Sequence, residues 1–437
     1  MNLDEYSRRR RQLMELAGHA SIIIVASAPE RVRSNDTFHP YRQDSDFQYL
    51  SGFPEPEAVL VLVPGRDAGQ SLLFCRERHP EREQWDGPRI GLEGAVEQFG
   101  FDDAYPIGDI DDILPGLIEG RSRIHYHLGR DPDFDQRLIG WLHRVRAQLR
   151  GGSVPPQQMA TLGPLLHEMR LIKSAAEIRR LRTAVNITVA AHEQVWARMR
   201  PGWREYQVEA ELLACFHHNH AVAAYPSIVG AGANACILHY RAGTAKLREG
   251  ELVLIDAGAE SRNYAADLSR TFPVSGQWSA AQRTLYDLVL DAHHAALAQA
   301  RPGQPYRAMP DAAVQVLTAG LIGLGLIEGP LDDAIAQQRY RAFFMHKTGH
   351  WLGLDVHDVG DYRIDGHWRE LEPGMVCTIE PGLYIRPDAP VAAKWRGIGI
   401  RIEDDVLITR DGHEVLSAAL PTAADEIQAR IGSQAGA

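Results

Sequence analysis

Two periods alternate in the hydrophobic pattern of the 437-residue chain. Within residues 1–150, apolar runs at Ile22–Ala26, Ala58–Val63 and Ser71–Cys75 read as strands. Spacings of three and four near 5–17, 92–99 and 134–149 read as helices. That alternation predicts an α/β domain. Gly151-Gly-Ser-Val-Pro-Pro-Gln-Gln158 favours loop or extended backbone, so a domain boundary is expected in or just after it. The resulting division is 1–160 and 161–437.

From residue 176 the pattern becomes strongly amphipathic. Ile178, Leu181, Val185, Val189, His192, Val195 and Met199 share one face, and Arg200-Pro-Gly202 stops the helix. A second helical pattern covers 205–218, followed by strand-like segments at 225–229, 236–240, 251–257 and 264–273. The order then recurs. An amphipathic helix at 280–300 ends in Arg301-Pro-Gly303, 101 residues after the first such tripeptide. Another helical pattern covers 308–322, and strand-like segments follow at 375–385 and 398–408. The series predicts an internal duplication, with two helix-pair-and-strand halves sharing one sheet and a site at their junction.

Composition narrows the class. With 45% hydrophobic and 24% charged residues the chain is of soluble globular type. A net charge of −11 disfavours non-specific binding to nucleic acid or anionic membranes. Arg8 to Arg11 followed by Ile22-Ile-Ile-Val25 has a superficial signal-peptide order. The apolar run is short, however, and Glu15 and His19 intervene, so a helix leading into a buried strand is expected. No run approaches the ~18 apolar residues of a membrane span. Four scattered cysteines without a Cys-x-x-Cys pair fit reduced thiols. A cytoplasmic protein is expected.

The chemistry concentrates in residues 346–358, where His346, His350 and His357 are threaded with Gly349 and Gly353. His346 and His350 have zincin spacing, but Lys347 stands where that mechanism needs its glutamate. The glycines argue against a regular helix and read as bends aiming the three histidines at one cavity. Four acids lie within or beside apolar strand patterns. Asp256 ends Leu252-Val-Leu-Ile255, and Asp267 is spaced to sit opposite it across a hairpin. Glu380 follows Val376-Cys-Thr-Ile379, and Glu403 lies in a run with Arg401 at its centre. Carboxylates converging in a low-dielectric pocket repel one another and call for cations. Two divalent ions balance four carboxylates, and with His350 the set is oxygen-rich with one imidazole. That suits manganese, with cobalt, zinc or iron as alternatives, and points to metal-assisted hydrolysis. His217, His218 and His220, and the pair His293-His294, lie on or at the ends of helical patterns and read as solvated.

Taken together, Asp256-Ala-Gly, Asp267-Leu-Ser-Arg-Thr-Phe, His350-Trp-Leu-Gly-Leu-Asp-Val-His357-Asp, Glu380-Pro-Gly-Leu-Tyr and Gly399-Ile-Arg-Ile-Glu403-Asp resemble the pita-bread metallopeptidases. Within that family they are most similar to the Xaa-Pro aminopeptidases. The resemblance extends to Tyr41-Arg-Gln-Asp-Ser-Asp-Phe-Gln-Tyr-Leu-Ser-Gly-Phe53 and covers essentially the whole chain. It implies an α/β N-terminal domain followed by a duplicated pita-bread catalytic domain. It further implies cleavage of Xaa-Pro-Yaa peptides before proline by a metal-bridging hydroxide, with two divalent ions per chain (manganese first, Co2+ or Zn2+ as alternatives).

By the same resemblance Asp256, Asp267, His350, Glu380 and Glu403 are the metal ligands, with Asp267 and Glu403 bridging. Glu380 is also the proton acceptor, His357 faces the developing oxyanion, and His239 and His346 line the proline side. Arg401 and Tyr384 orient the ligands. Asp36, Arg42 and Trp85 correspond to positions that reach a neighbouring subunit's site, which implies a homodimer or homotetramer. Lys347 departs from the family pattern, as do Ala265 and Ala266, and Lys347 bears on substrate preference. Prolidase shares the ligands but cuts only dipeptides. Methionine aminopeptidase usually lacks so large a first domain. Metal-free pita-bread proteins, whether amidinohydrolases or peptide-binding modules, typically lose ligands that this chain keeps.

Overall fold

The computed structural model describes residues 3–431, and the chain divides into two units, Met1–Arg170 and Leu171–Ala437. The first unit is built on a six-stranded mixed sheet of order β6-β5-β4-β1-β7-β8. Its strands are β1 (Ser21–Ala26), β4 (Val59–Leu62), β5 (Ser71–Cys75), β6 (Asp103–Pro106), β7 (Arg123–His125) and β8 (Gln158–Ala160). A small exposed hairpin, β2 (Val32–Ser34) and β3 (Thr37–Phe38), lies outside it. Ile22, Ile24, Val59, Val61, Leu72 and Phe74 alternate onto one face and pack on Ile110, Leu114, Leu138 and Trp141. Their neighbours Ile23, Val25, Leu60 and Leu73 are buried too. A sheet covered on both faces explains why its strands read as continuous apolar runs.

Among the described residues seven α-helices accompany this sheet along the chain: α1 (Leu3–Ala17), α2 (Ser45–Ser51), α3 (Pro80–Asp86), α4 (Gly91–Phe99), α5 (Ile110–Ile118), α6 (Pro132–Ala147) and α7 (Gly163–Leu171). The basic run on α1 is structural. Arg9 and Arg10 are buried and donate to the Tyr49 and Leu50 carbonyls at the end of α2. In the first turn of α2, Asp46 is nearly inaccessible. It accepts from Arg170 at 2.6 Å and Arg130 at 3.2 Å, with His127 Nε2 at 3.0 Å.

The second unit shows the expected duplication in its details. Helix α8 (Ala175–Arg198) begins with a capping box between Ser174 and Glu177, and α10 (Ala280–Leu297) with one between Ser279 and Gln282. Each helix is followed by a Pro-Gly turn, at Gly202 and Gly303, with both glycines at positive φ. The Gly202 amide donates to the Leu247 carbonyl and the Gly303 amide to that of Leu371. Helices α9 (Glu205–His218) and α11 (Ala308–Gly323) complete the pairs.

After α9 come β9 (Val222–Ala223), β10 (Ile228–Ala231), β11 (Leu252–Ala257), β12 (Ala259–Ser261), β13 (Tyr264–Ala265) and β14 (Leu268–Pro273). After α11 come α12 (Leu331–Ala336), β15 (Arg363–Ile364), β16 (His367–Trp368), β17 (Val376–Ile379), β18 (Gly382–Ile385), β19 (Ile398–Arg401), β20 (Asp404–Ile408) and β21 (His413–Val415). The sheets β10-β11-β14 and β17-β20-β21 are separate three-stranded sheets rather than one shared sheet, linked by a bridge between Ser269 and Glu403.

Two expectations are corrected here. Residues 236–240 are not a strand: a 3-10 turn over Gly232–Cys236 leads into a loop. Buried Glu205 holds that loop, accepting from the Ala231 and Gly243 amides, Asn234 and the Tyr240 hydroxyl. His293 is not solvated. It is buried, with Nε2 3.1 Å from Asp404, whereas His217, His218, His220 and His294 are exposed as expected.

Candidate metal centre

Strand β11 carries Asp256 to the sheet end, but its partner across the ladder is Ser269. Asp267 precedes β14 rather than standing opposite Asp256 in register. The two acids still converge, because the Tyr225 hydroxyl lies 2.6 Å from Asp256 Oδ1 and 2.5 Å from Asp267 Oδ1. Tyr225 carries no sequence pattern that would have singled it out.

The histidine segment runs beside β17. The His350 amide donates to Thr378 Oγ1, the Thr378 amide returns to the His350 carbonyl, and the Glu380 amide donates to the Thr348 carbonyl. Gly353 lies in a bend, but neither glycine has positive φ, so a left-handed backbone is not what requires them. They permit close approach instead. A Cβ on Gly349 would lie 2.1 Å from the Thr378 carbonyl oxygen, and one on Gly353 the same distance from Asp358 Oδ2. His350 Nδ1 contacts the Trp351 carbonyl at 3.0 Å, an acceptor only, so Nδ1 holds the proton and Nε2 is left as a ligand atom. Nε2 lies 3.3 Å from Asp267 Oδ2 and 3.6 Å from Glu380 Oε1.

Glu403 sits between β19 and β20, with its Oε2 accepting from Ser269 Oγ at 2.6 Å. Arg401 links this side to Asp256. Its Nε donates to Ser269 Oγ, its Nη1 to the Tyr384 hydroxyl, and its Nη2 to Asp256 Oδ2 at 2.5 Å.

These acids outnumber the permanent cations beside them. Burial raises Asp256 above the usual carboxylate range despite Arg401. Burial, with the charges of Asp267, Glu380 and Asp256, lifts Glu403 well above it. Burial pushes Glu380 up to about 7, against the pull of His350. For His350, burial lowers the value, but the hydrogen bond and charge of Asp267, with Glu380, lift it to about 9. Donor atoms of Asp267, His350 and Glu403 all lie within 4.8 Å of one another. An oxygen-rich, under-compensated cluster with one imidazole is chemically suited to divalent cations.

A cavity of about 620 Å3 opens onto the five residues. His239, His346 and His357 line it as well. Burial lowers the His346 ring to about 3, so it is neutral. Its Nδ1 donates to the Lys347 carbonyl and its Nε2 accepts from Tyr384. His357 lies at the cavity mouth, open to solvent on one side, with its ring centroid 4.3 Å from that of His350; partial desolvation on its cavity side, with the charge of His350, lowers its pKa. The next residue, Asp358, is buried against Lys173 Nζ at 3.0 Å, an anchor for this loop that sequence reasoning missed. Asp36, Arg42 and Trp85 all lie in the first unit: Asp36 in the turn of the β2–β3 hairpin, Arg42 ahead of α2, and Trp85 on α3. All three are exposed, Trp85 to 88%.

Residues 179–410 match metallopeptidase family M24. The chain belongs to that family. Residues 6–126 match the aminopeptidase P N-terminal domain. Among relatives of this M24 chain is the Xaa-Pro aminopeptidase of Escherichia coli, 45% identical over 97% of both chains. The structure of aminopeptidase PepP from Pseudomonas aeruginosa superposes with a TM-score of 0.99 at 53% identity, covering 100% of this chain and 99% of that one. Zinc-substituted E. coli aminopeptidase P in complex with product gives 0.96 at 44% identity, with 99% of each chain covered. The fold is therefore an N-terminal domain followed by an M24 pita-bread domain, and the chain is a metallopeptidase with a divalent metal site.

Proposed function

We propose that this protein is an Xaa-Pro aminopeptidase, hydrolysing the bond between an N-terminal residue and a following proline. The observation that supports this most is the convergence of Asp256, Asp267, His350, Glu380 and Glu403 on one cavity, in a chain whose named relatives are Xaa-Pro aminopeptidases. Those relatives favour this activity over a dipeptidase. The five residues would hold two divalent ions, manganese by their oxygen-rich character. When bound, such ions supply charge compensation, an activated water and polarisation of the scissile carbonyl.

The chain's own groups do the rest. Glu380, on the cavity floor, takes the proton of the attacking water and returns it to the leaving proline nitrogen. Neutral His357 donates to the developing oxyanion. His239 and His346 wall the proline side, with His346 locked by Lys347 and Tyr384 so that it shapes the pocket rather than titrating. Arg401 fixes Asp256 and, through Ser269, Glu403.

The first unit, taken as residues 1–160, serves oligomerisation and site covering. Asp36, Arg42 and Trp85 reach the site of a second copy in a cytoplasmic dimer or tetramer. The exposure of Trp85, on a helix with no buried residue, supports this assignment. After loading with Mn2+, the protein is expected to cleave Ala-Pro-Ala and to leave Ala-Ala-Ala intact. Equal cleavage of both, or activity confined to Ala-Pro, would refute the reading.

A further inference from the structure

We propose that Lys347 and Arg241 form a cationic subsite that binds a carboxylate on the leaving-group side of the scissile bond. The inference rests on the aminopeptidase reading and narrows its substrates. Lys347, Arg241 and Arg401 are the lysine and arginine side chains lining the cavity among the described residues. Arg401 is buried and committed to Asp256. Lys347 and Arg241 are exposed and have no carboxylate within ion-pair distance among the described residues. Elsewhere beside this cavity, cations are paired, as Lys173 is with Asp358.

Both backbones are held in place. The Lys347 carbonyl accepts from His346, and its ammonium stands 5.6 Å from the centroid of the Tyr362 ring. The Tyr362 hydroxyl is itself fixed by the Trp351 amide. Arg241 rides on the loop that Glu205 pins at Tyr240 and Gly243. The two cations therefore face one cavity from separately anchored segments.

A peptide is oppositely charged at its two ends. The acidic floor accepts its ammonium, and the cations repel it, which orients the chain with its carboxylate towards Lys347 and Arg241. Proline and one further residue span at most about 7 Å at ~3.3–3.6 Å per residue, so the terminal carboxylate of a tripeptide stays within a cavity of this size. An acidic side chain after proline offers the same chemistry.

The test compares kcat/KM for Ala-Pro-Ala with that for its C-terminal amide, and for Ala-Pro-Asp-amide with that for Ala-Pro-Asn-amide. Wild type should favour the carboxylate roughly tenfold in at least one pair, mainly through KM, with the preference shrinking in high salt. Lys347→Met and Arg241→Met should each reduce it by about three- to fivefold, the double variant should bring it near unity, and Lys347→Arg should retain it. A preference in the first pair assigns the terminal carboxylate, and one in the second assigns the side chain. Equal rates in both pairs for wild type, or a preference that survives the double variant, would overturn the subsite. If no Xaa-Pro peptide is hydrolysed at all, the aminopeptidase reading fails, and calorimetry still decides the subsite. Pro-Ala must then bind more tightly than its amide, with the difference lost in the double variant. Equal binding overturns the proposal.

Discussion

Two clusters in this protein bring carboxylate and imidazole groups to similar spacing and do opposite things with them. Donor atoms of Asp46, His127 and His167 lie within 4.8 Å of one another, as do those of Asp267, His350 and Glu403. Around Asp46 the protein supplies its own cations. Arg170 takes Oδ1 and Arg130 takes Oδ2, with His127 and His167 at 3.0 and 3.7 Å. Burial pulls Asp46 upward, but the two nearby histidines and the charge and hydrogen bond of Arg170 outweigh it and hold the group well below its usual value. In the second cluster four carboxylates share one guanidinium, and Asp256, Glu380 and Glu403 are raised instead. Ligand-like spacing alone thus does not make a metal site. The balance of charge decides, because a cation entering the Asp46 cluster would displace guanidinium groups already in place.

The comparison is most easily broken at the second cluster. Asp267→Ala should lower kcat/KM in saturating Mn2+ by well over 100-fold, beyond the roughly 10–100-fold typical of losing a group that merely orients a ligand. Near-normal turnover would remove Asp267 from the centre. Asp46→Ala should act on stability instead. Stripping the partner from buried Arg170 should cost about 3–5 kcal/mol in denaturant unfolding of the first unit, with kcat per folded molecule unchanged. The pH dependence sharpens the same contrast. Because the folded pKa of Asp46 is depressed, its contribution is complete above the ordinary aspartate value near ~4 and is lost as pH falls towards the folded value. Acid unfolding of the first unit should therefore be steeper in wild type than in Asp46→Asn. The smallest effect is expected at Arg401→Met. Asp256 loses one of its two hydrogen-bond partners, and metal affinity should fall by roughly 10–100-fold while the fold is kept. An unchanged affinity would show that Tyr225 alone suffices to place Asp256.

Much of this was legible in the sequence because it depends on local order. The helix over Glu205–His218, the acid ending β11 and the paired Arg-Pro-Gly stops each follow from spacing within one segment. What stayed hidden depends on partners far along the chain. Residues 236–240 have the apolar look of a strand, yet Glu205 ties them into a loop. His293 sits on a helix like its solvated neighbour His294, but faces a buried Asp404 that follows it by more than a hundred residues. Gly349 and Gly353 are required by the Thr378 carbonyl and by Asp358, not by their own dihedral angles. Tyr225, which touches two of the four acids, precedes a proline at the start of the strand-like run 225–229, where nothing local marks its hydroxyl as a partner of the site. Hydrophobic period reports which face is buried. It does not report which polar group waits on the far side.

Counting bound metal across matched variants tests the charge-balance account most directly. Dialysed against Mn2+ and analysed for metal per chain, wild type and Asp46→Asn should each retain two ions, and Asp267→Ala fewer than one. Two ions retained by Asp267→Ala, or an ion lost from a folded His127→Ala variant, would contradict it.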